Sequence, residues 1–169
     1  MSLEPVLRDA LQKQMNTERL NAVFYKACSA RLDSLGLRGF ARWMHRSAKD
    51  ERQHAQLFFD YLIDRAEVPN LAPLETYTPP VVNIKNAPAI LFTAALQKER
   101  QNTQAINYLY NLGDEVKDPQ TCIFLHPLID EQTESEATLQ DITAQLNLAG
   151  DDAAAILRLD HRLRKHDHV

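Results

Sequence analysis

In the stretch KDERQHAQLFFDYLIDR, from Lys49 to Arg65, Glu51 and His54 stand three residues apart. They share a helical stripe with Phe58, Tyr61 and Leu62, and the stripe runs back through Ser47 to Met44. A carboxylate and an imidazole therefore point where an apolar core belongs. Burying an ionised carboxylate is expensive unless a partner or a metal compensates it. Three other stripes repeat the anomaly. Glu18 lies among Leu7, Leu11, Met15, Ala22, Tyr25, Cys28 and Leu32, and Glu99 and Asn102 lie among Phe92, Ala95, Ile106 and Leu109. Gln132 and Ser135 lie among Phe124, Leu128, Leu139, Ile142 and Leu146, with Glu131 and Glu134 flanking them; Asp50 adjoins Glu51.

A single acidic residue on an apolar stripe is common, because a long side chain reaches past the edge of the core. Four stripes with a polar midpoint are a different matter, since at equal depth in a bundle these side chains converge. Three carboxylates and one imidazole in an apolar interior are compensated by a pair of divalent or trivalent ions. Carboxylate oxygens suit hard cations, and imidazole suits iron, zinc or copper. Glu51 and His54 share a face, so either both reach one ion or Glu51 bridges two. Tyr25, two turns beyond Glu18, is a core aromatic that either hydrogen-bonds a ligand carboxylate or stands close enough to be oxidised.

The elements that must position these residues are helical nearly throughout. The first stripe ends at DSLGLRGF, where Gly36 and Gly39 read as a stop and a restart, and the second helix is expected from about Gly39 to Arg65. A short turn of this kind implies an antiparallel pair. The following EVPNLAPLETYTPPVVNIKN contains Pro69, Pro73, Pro79 and Pro80 and shows no period. A connection this long carries the chain from one end of a bundle to the other. Asn86 and Pro88 read as the cap and first turn of a third helix, and Asp118 and Pro119 as those of a fourth. Pro127 should kink the fourth helix or loosen one backbone hydrogen bond. Gly150 ends it, and a short fifth helix is expected over about 152–164.

Length and composition agree with this architecture. A chain of 169 residues with only four glycines suits a single helical domain spanning 1–169, with the bundle over about 3–147. A net charge of -4, with no strongly basic face, argues against nucleic acid as the main partner. The opening MSLEPVLRDALQKQ lacks a basic-then-apolar signal, and no apolar run is long enough for a membrane span, so a soluble, cytoplasmic protein is expected. Cys28 and Cys122 are too few for a disulfide framework or a zinc site.

With these motifs in order, the sequence resembles the non-haem, prokaryotic-type ferritins of the ferritin-like di-iron superfamily. The segment from Asn16 to Arg65 resembles their first two helices, FTAALQKERQNT the third and FLHPLIDEQTESEATL the fourth. The resemblance implies an all-α, ferritin-like four-helix bundle with a long crossover between its second and third helices and a short fifth helix. It implies a ferroxidase that oxidises Fe(II) with O2 or H2O2 at a di-iron centre within each subunit. It also implies ferric mineral stored inside a homo-oligomeric shell of 24 subunits.

Carried over residue by residue, Glu18 and His54 bind the first iron, Glu51 bridges, Glu99 binds the second, and Gln132 and Tyr25 lie beside the pair. Asp50, Glu131 and Glu134 match a third iron site. Ser135 stands where some bacterial members carry a further ligating Glu, and Pro127 where many carry a tryptophan. The start of the fourth helix, DPQTCIFLH, lacks the acidic lining of the usual three-fold pore. Arg52 follows Glu51 where a haem-ligating Met would stand, so no haem is expected. The fourth helix lacks a second Glu-x-x-His, unlike the rubrerythrins. Two other functions fit the same bundle: a shell-building, mineral-nucleating subunit with a weak centre, or a different di-metal oxidase or peroxidase. The tail residues His161, His166 and His168 read as solvated or as lining a symmetry axis.

Overall fold

Each of the four long stripes folds as a helix in the computed structural model, which describes residues 2–165. The elements are α1 (Pro5–Ser34), α2 (Arg38–Asp64), α3 (Ala87–Glu115), α4 (Pro119–Ala149) and α5 (Ala153–Lys165), and no strand occurs among the described residues. The fold class is all-α, a four-helix bundle with a short fifth helix.

Backbone hydrogen bonds fix the first turn. Leu37 N–H donates to Leu32 C=O and Gly36 N–H to Asp33 C=O, closing α1 with Gly36 at φ 78°. Only a residue without a Cβ adopts that conformation freely. The end of α2 repeats the motif with Ala66 at φ 61°, and the end of α3 repeats it with Lys117 at φ 59°.

Two apolar clusters show how the ends of the helices meet. Leu7 and Leu11 from α1 pack with Phe58, Leu62, Leu109, Leu112 and Leu125 at one end. Leu32, Phe40, Leu91, Phe92, Leu146 and Ile156 pack together at the other. Thus α2 finishes at the end opposite the one where α3 begins, and residues 65–86 must travel the length of the bundle. A helix the length of α3 spans about 40 Å, and these residues reach it easily when extended.

The crossover has no helix or strand, so its backbone needs other partners. The polar face of α1 supplies them. Gln12 exchanges hydrogen bonds with Val68 C=O (3.1 Å) and Asn70 N–H (2.6 Å). Asn16 does the same with Asn70 C=O (2.8 Å) and Ala72 N–H (3.0 Å), and Arg19 donates to Ala72 C=O at 2.7 Å.

One expectation is corrected. Asn86 occupies the cap position of α3, yet its side chain accepts from Asn83 N–H instead of capping the helix. Pro127 lies inside α4, which runs unbroken from Pro119 to Ala149, and having no N–H it removes one backbone hydrogen bond, as expected. The carbonyl that Pro127 cannot serve belongs to Ile123, whose residue is 65 % exposed, so water can serve it. The second helix begins at Arg38, one residue before the expected Gly39, and at Gly39 itself an added Cβ would fall 1.8 Å from the backbone oxygen of Asp160 on α5. That close approach lets Asp160 Oδ1 accept from Phe40 N–H at 2.9 Å. The carboxylate of α5 thereby caps the start of α2, whose own cap residue, Leu37, supplies no side-chain bond.

Candidate metal centre

The bundle brings Glu18, Glu51 and His54 together, with one potential ligand atom from each lying within 4.8 Å of the others. All three are buried: Glu18 on α1, Glu51 and His54 one step apart on α2. Glu99 on α3 and Gln132 on α4 are buried beside them. A cavity of about 300 Å³ opens onto Tyr25, Trp43, Glu51, His54 and Glu99. Its rim carries Asp50, Glu131 and Glu134, which are exposed, and Ser135, which is partly so. The four stripes therefore meet at one depth, as their spacing requires.

The polar groups form a connected network. Tyr25 donates its hydroxyl hydrogen to Glu99 Oε1. Gln132 Nε2 donates to Glu99 Oε2 (3.0 Å), to Glu99 C=O (3.2 Å) and to Thr103 Oγ1 (3.2 Å). Both carboxylate oxygens of Glu99 are thus held. Gln14 Nε2 donates to Glu18 Oε1 and to Asn102 Oδ1, each at 2.7 Å. Asn102 Nδ2 lies 3.2 Å from Glu18 Oε1 and 3.5 Å from Gln132 Oε1. His54 Nε2 lies 3.0 Å from Glu131 Oε1. Glu51 Oε2 is buried without a hydrogen-bond partner.

Electrostatics follow from the crowding. Burial, then a hydrogen bond and the charge of Glu18, then the charge of Glu99, push the Glu51 carboxyl well above the usual range; Asn21 opposes them weakly. Burial also raises Glu99, against the hydrogen bonds from Tyr25 and Gln132. Burial followed by the charges of Glu99 and Glu51 raises the Tyr25 hydroxyl well above its ordinary value. Burial raises Asp50, with His54 opposing it. Several carboxyls crowded together in an apolar site cannot all ionise cheaply, and a divalent cation between them removes the conflict. The donor set of carboxylate oxygens and one imidazole suits iron.

Every residue singled out by spacing reaches the site or its rim. Gln14, Asn21 and Asn102 were missed as site residues, although Asn102 lies on the α3 stripe. Their signal was weak, since an amide four residues before or three after a Glu reads as ordinary polar surface. His161 is exposed on α5, whereas His166 and His168 lie outside the described residues.

A four-helix bundle with inward Glu and Glu-x-x-His side chains defines the ferritin-like class of carboxylate proteins. The chain matches the family described as Ferritin-like domain over residues 8–149, and it belongs to the ferritin family. It is 34% identical over 161 residues to the bacterial non-heme ferritin of Staphylococcus epidermidis, covering 95% of each chain. It is 30% identical to that of Escherichia coli O6:H1 over 165 residues, covering 98% of each. Among solved structures it is similar to an open-pore ferritin from the archaeon Archaeoglobus fulgidus. That match has a TM-score of 0.91 and 31% identity, and it covers 98% of this chain and 100% of the other.

Proposed function

We propose that this protein is an iron-storing ferroxidase. It oxidises Fe(II) to Fe(III) with O2 or H2O2 at a di-iron centre within each subunit. The observation that carries the proposal is Glu51: a buried carboxyl with one unpartnered oxygen, crowded by Glu18 and Glu99 and three residues from His54. Folding alone gives no reason for that arrangement, and cation binding does.

In this reading Glu18 and His54 take the first iron, Glu99 takes the second, and Glu51 bridges the two. One O2 accepts one electron from each of two Fe(II) and, with two protons, leaves as H2O2. Bridging by a single carboxylate holds the electron donors at a fixed separation. Hard anionic oxygens favour Fe(III) over Fe(II), so the ligands themselves drive oxidation. Tyr25 and Gln132 hold the two Glu99 oxygens and keep that ligand aimed. The cavity leaves room for the oxidant beside the pair. Asp50, Glu131 and Glu134 form an exposed acidic rim through which iron enters or leaves.

The chain works as one ferritin-like domain, without haem, in a cytoplasmic assembly of 24 copies that encloses ferric mineral. Iron and the oxidant are its small-molecule partners. In support, no helix among the described residues is long and apolar enough to cross a membrane, and large apolar side chains such as Leu57, Ile63 and Leu148 are exposed on the isolated subunit.

The test is a titration of the metal-free protein with Fe(II) in air, following the ferric absorbance, beside Glu51→Ala. A fast phase that saturates at about two irons per chain and vanishes in the variant is expected. Equal, slow oxidation by both proteins would leave a shell-building subunit instead.

A further inference from the structure

Of the three rim carboxylates matched to a third iron site, Glu131 has a contact that such a role does not require. Its Oε1 lies 3.0 Å from His54 Nε2. Only 9% of the His54 side chain is exposed, against 47% for Glu131, so one end of the pair is fixed in the core and the other reaches it from the rim. A carboxylate only accepts hydrogen bonds, so this contact places the imidazole hydrogen on Nε2. The lone pair of the neutral ring is then on Nδ1, and a metal ion binds the nitrogen that has the lone pair.

We infer that Glu131 is a positioning residue: by accepting from His54 Nε2–H it fixes the tautomer and ring orientation that present Nδ1 to the ion shared with Glu18 and Glu51. The inference rests on the di-metal reading above and adds a residue that acts through another. It also separates Glu131 from Glu134, which lines the same rim without pairing with the imidazole. In sequence the two look alike, because both flank the Gln132 stripe. Only the packing of α2 against α4 distinguishes them.

The experiment uses the assembled, metal-free protein titrated with Co(II), which reports binding by calorimetry and coordination by its visible absorption, without iron turnover. Glu131→Ala should weaken the tighter Co(II) site by about 10- to 100-fold, as loss of a hydrogen-bond partner of a ligating histidine does, and should change the visible spectrum. Glu131→Gln retains a carbonyl that accepts from Nε2–H and should stay closer to the wild type than to Glu131→Ala. Glu134→Ala removes a rim carboxylate that does not pair with the imidazole and should weaken that site less than Glu131→Ala does. The inference is overturned if Glu131→Ala matches the wild type, or if Glu134→Ala weakens the site equally, making both residues simple rim ligands. Failure of the wild-type protein to bind two Co(II) per chain in a Glu51-dependent way would instead overturn the di-metal reading itself.

Discussion

At Glu51 the requirements of folding and of cation binding oppose each other. Its carboxyl is held well above the usual range by burial and by Glu18, so the metal-free folded state keeps a proton that the unfolded chain gives up near the ordinary value of about 4.3. A group whose folded value is raised contributes stability that is fully present below the unfolded value and lost as pH rises through the folded one. Metal-free protein should therefore melt at lower temperature at pH 8 than at pH 5, and Glu51→Gln should flatten that decline. Thermal unfolding across this range checks it, and an unchanged slope in the variant would contradict it. Much of the centre was legible at this scale, because Glu18, Glu51, His54, Glu99 and Gln132 each interrupt an apolar stripe. The supports of Glu18 were not. Asn102 meets it from α3 and bonds Gln14, one turn before Glu18 on α1, and those contacts depend on how α1 packs on α3.

The helices hold the site in place through contacts at their ends. At one end Arg65 clamps Asp118, with Nη1–Oδ1 at 3.0 Å and Nη2–Oδ2 at 2.5 Å, while Asp118 Oδ1 also accepts from Thr121 N–H. This joins the end of α2 to the start of α4. Asp118→Ala should cost about 2 kcal/mol through loss of the cap and of the paired charge, measured by denaturant unfolding. The hydrogen bond from Arg65 lowers the Asp118 carboxyl, so its contribution is present above the unfolded value of about 3.9 and lost as pH falls through the lower folded one. At the other end the close approach at Gly39 binds α5 to α2. Gly39→Ala should destabilise by about 1–3 kcal/mol through displacement of α5, and wild-type stability in the variant would contradict the close contact. The cap at Asp118 was readable because cap and helix are neighbours in sequence. The cap that Asp160 gives α2 was not, since the partners lie 120 positions apart. Asn86 misled for a local reason: Asn83 engages its side chain before the helix can.

For the whole molecule, the path of the crossover decides what the surface offers. Residues 68–72 run along the Gln12, Asn16 and Arg19 side of α1, which explains why that face of α1 is polar while the opposite one is apolar. Composition and proline content made the crossover legible, but not its course, which depends on these side-chain bonds. Twenty-four copies of a 19.3 kDa chain should give a native mass of about 460 kDa with closed symmetry; a monomer or dimer by native mass spectrometry would contradict the cage. The proposed di-iron centre lies where the four helices converge. Its most direct test is crystallographic: crystals soaked anaerobically with Fe(II), with anomalous data collected at the iron edge. Two peaks are expected in each subunit, one among Glu18, Glu51 and His54 and one between Glu51 and Glu99. A subunit in which iron occupies only the Asp50, Glu131 and Glu134 rim, with nothing at Glu51, would contradict it.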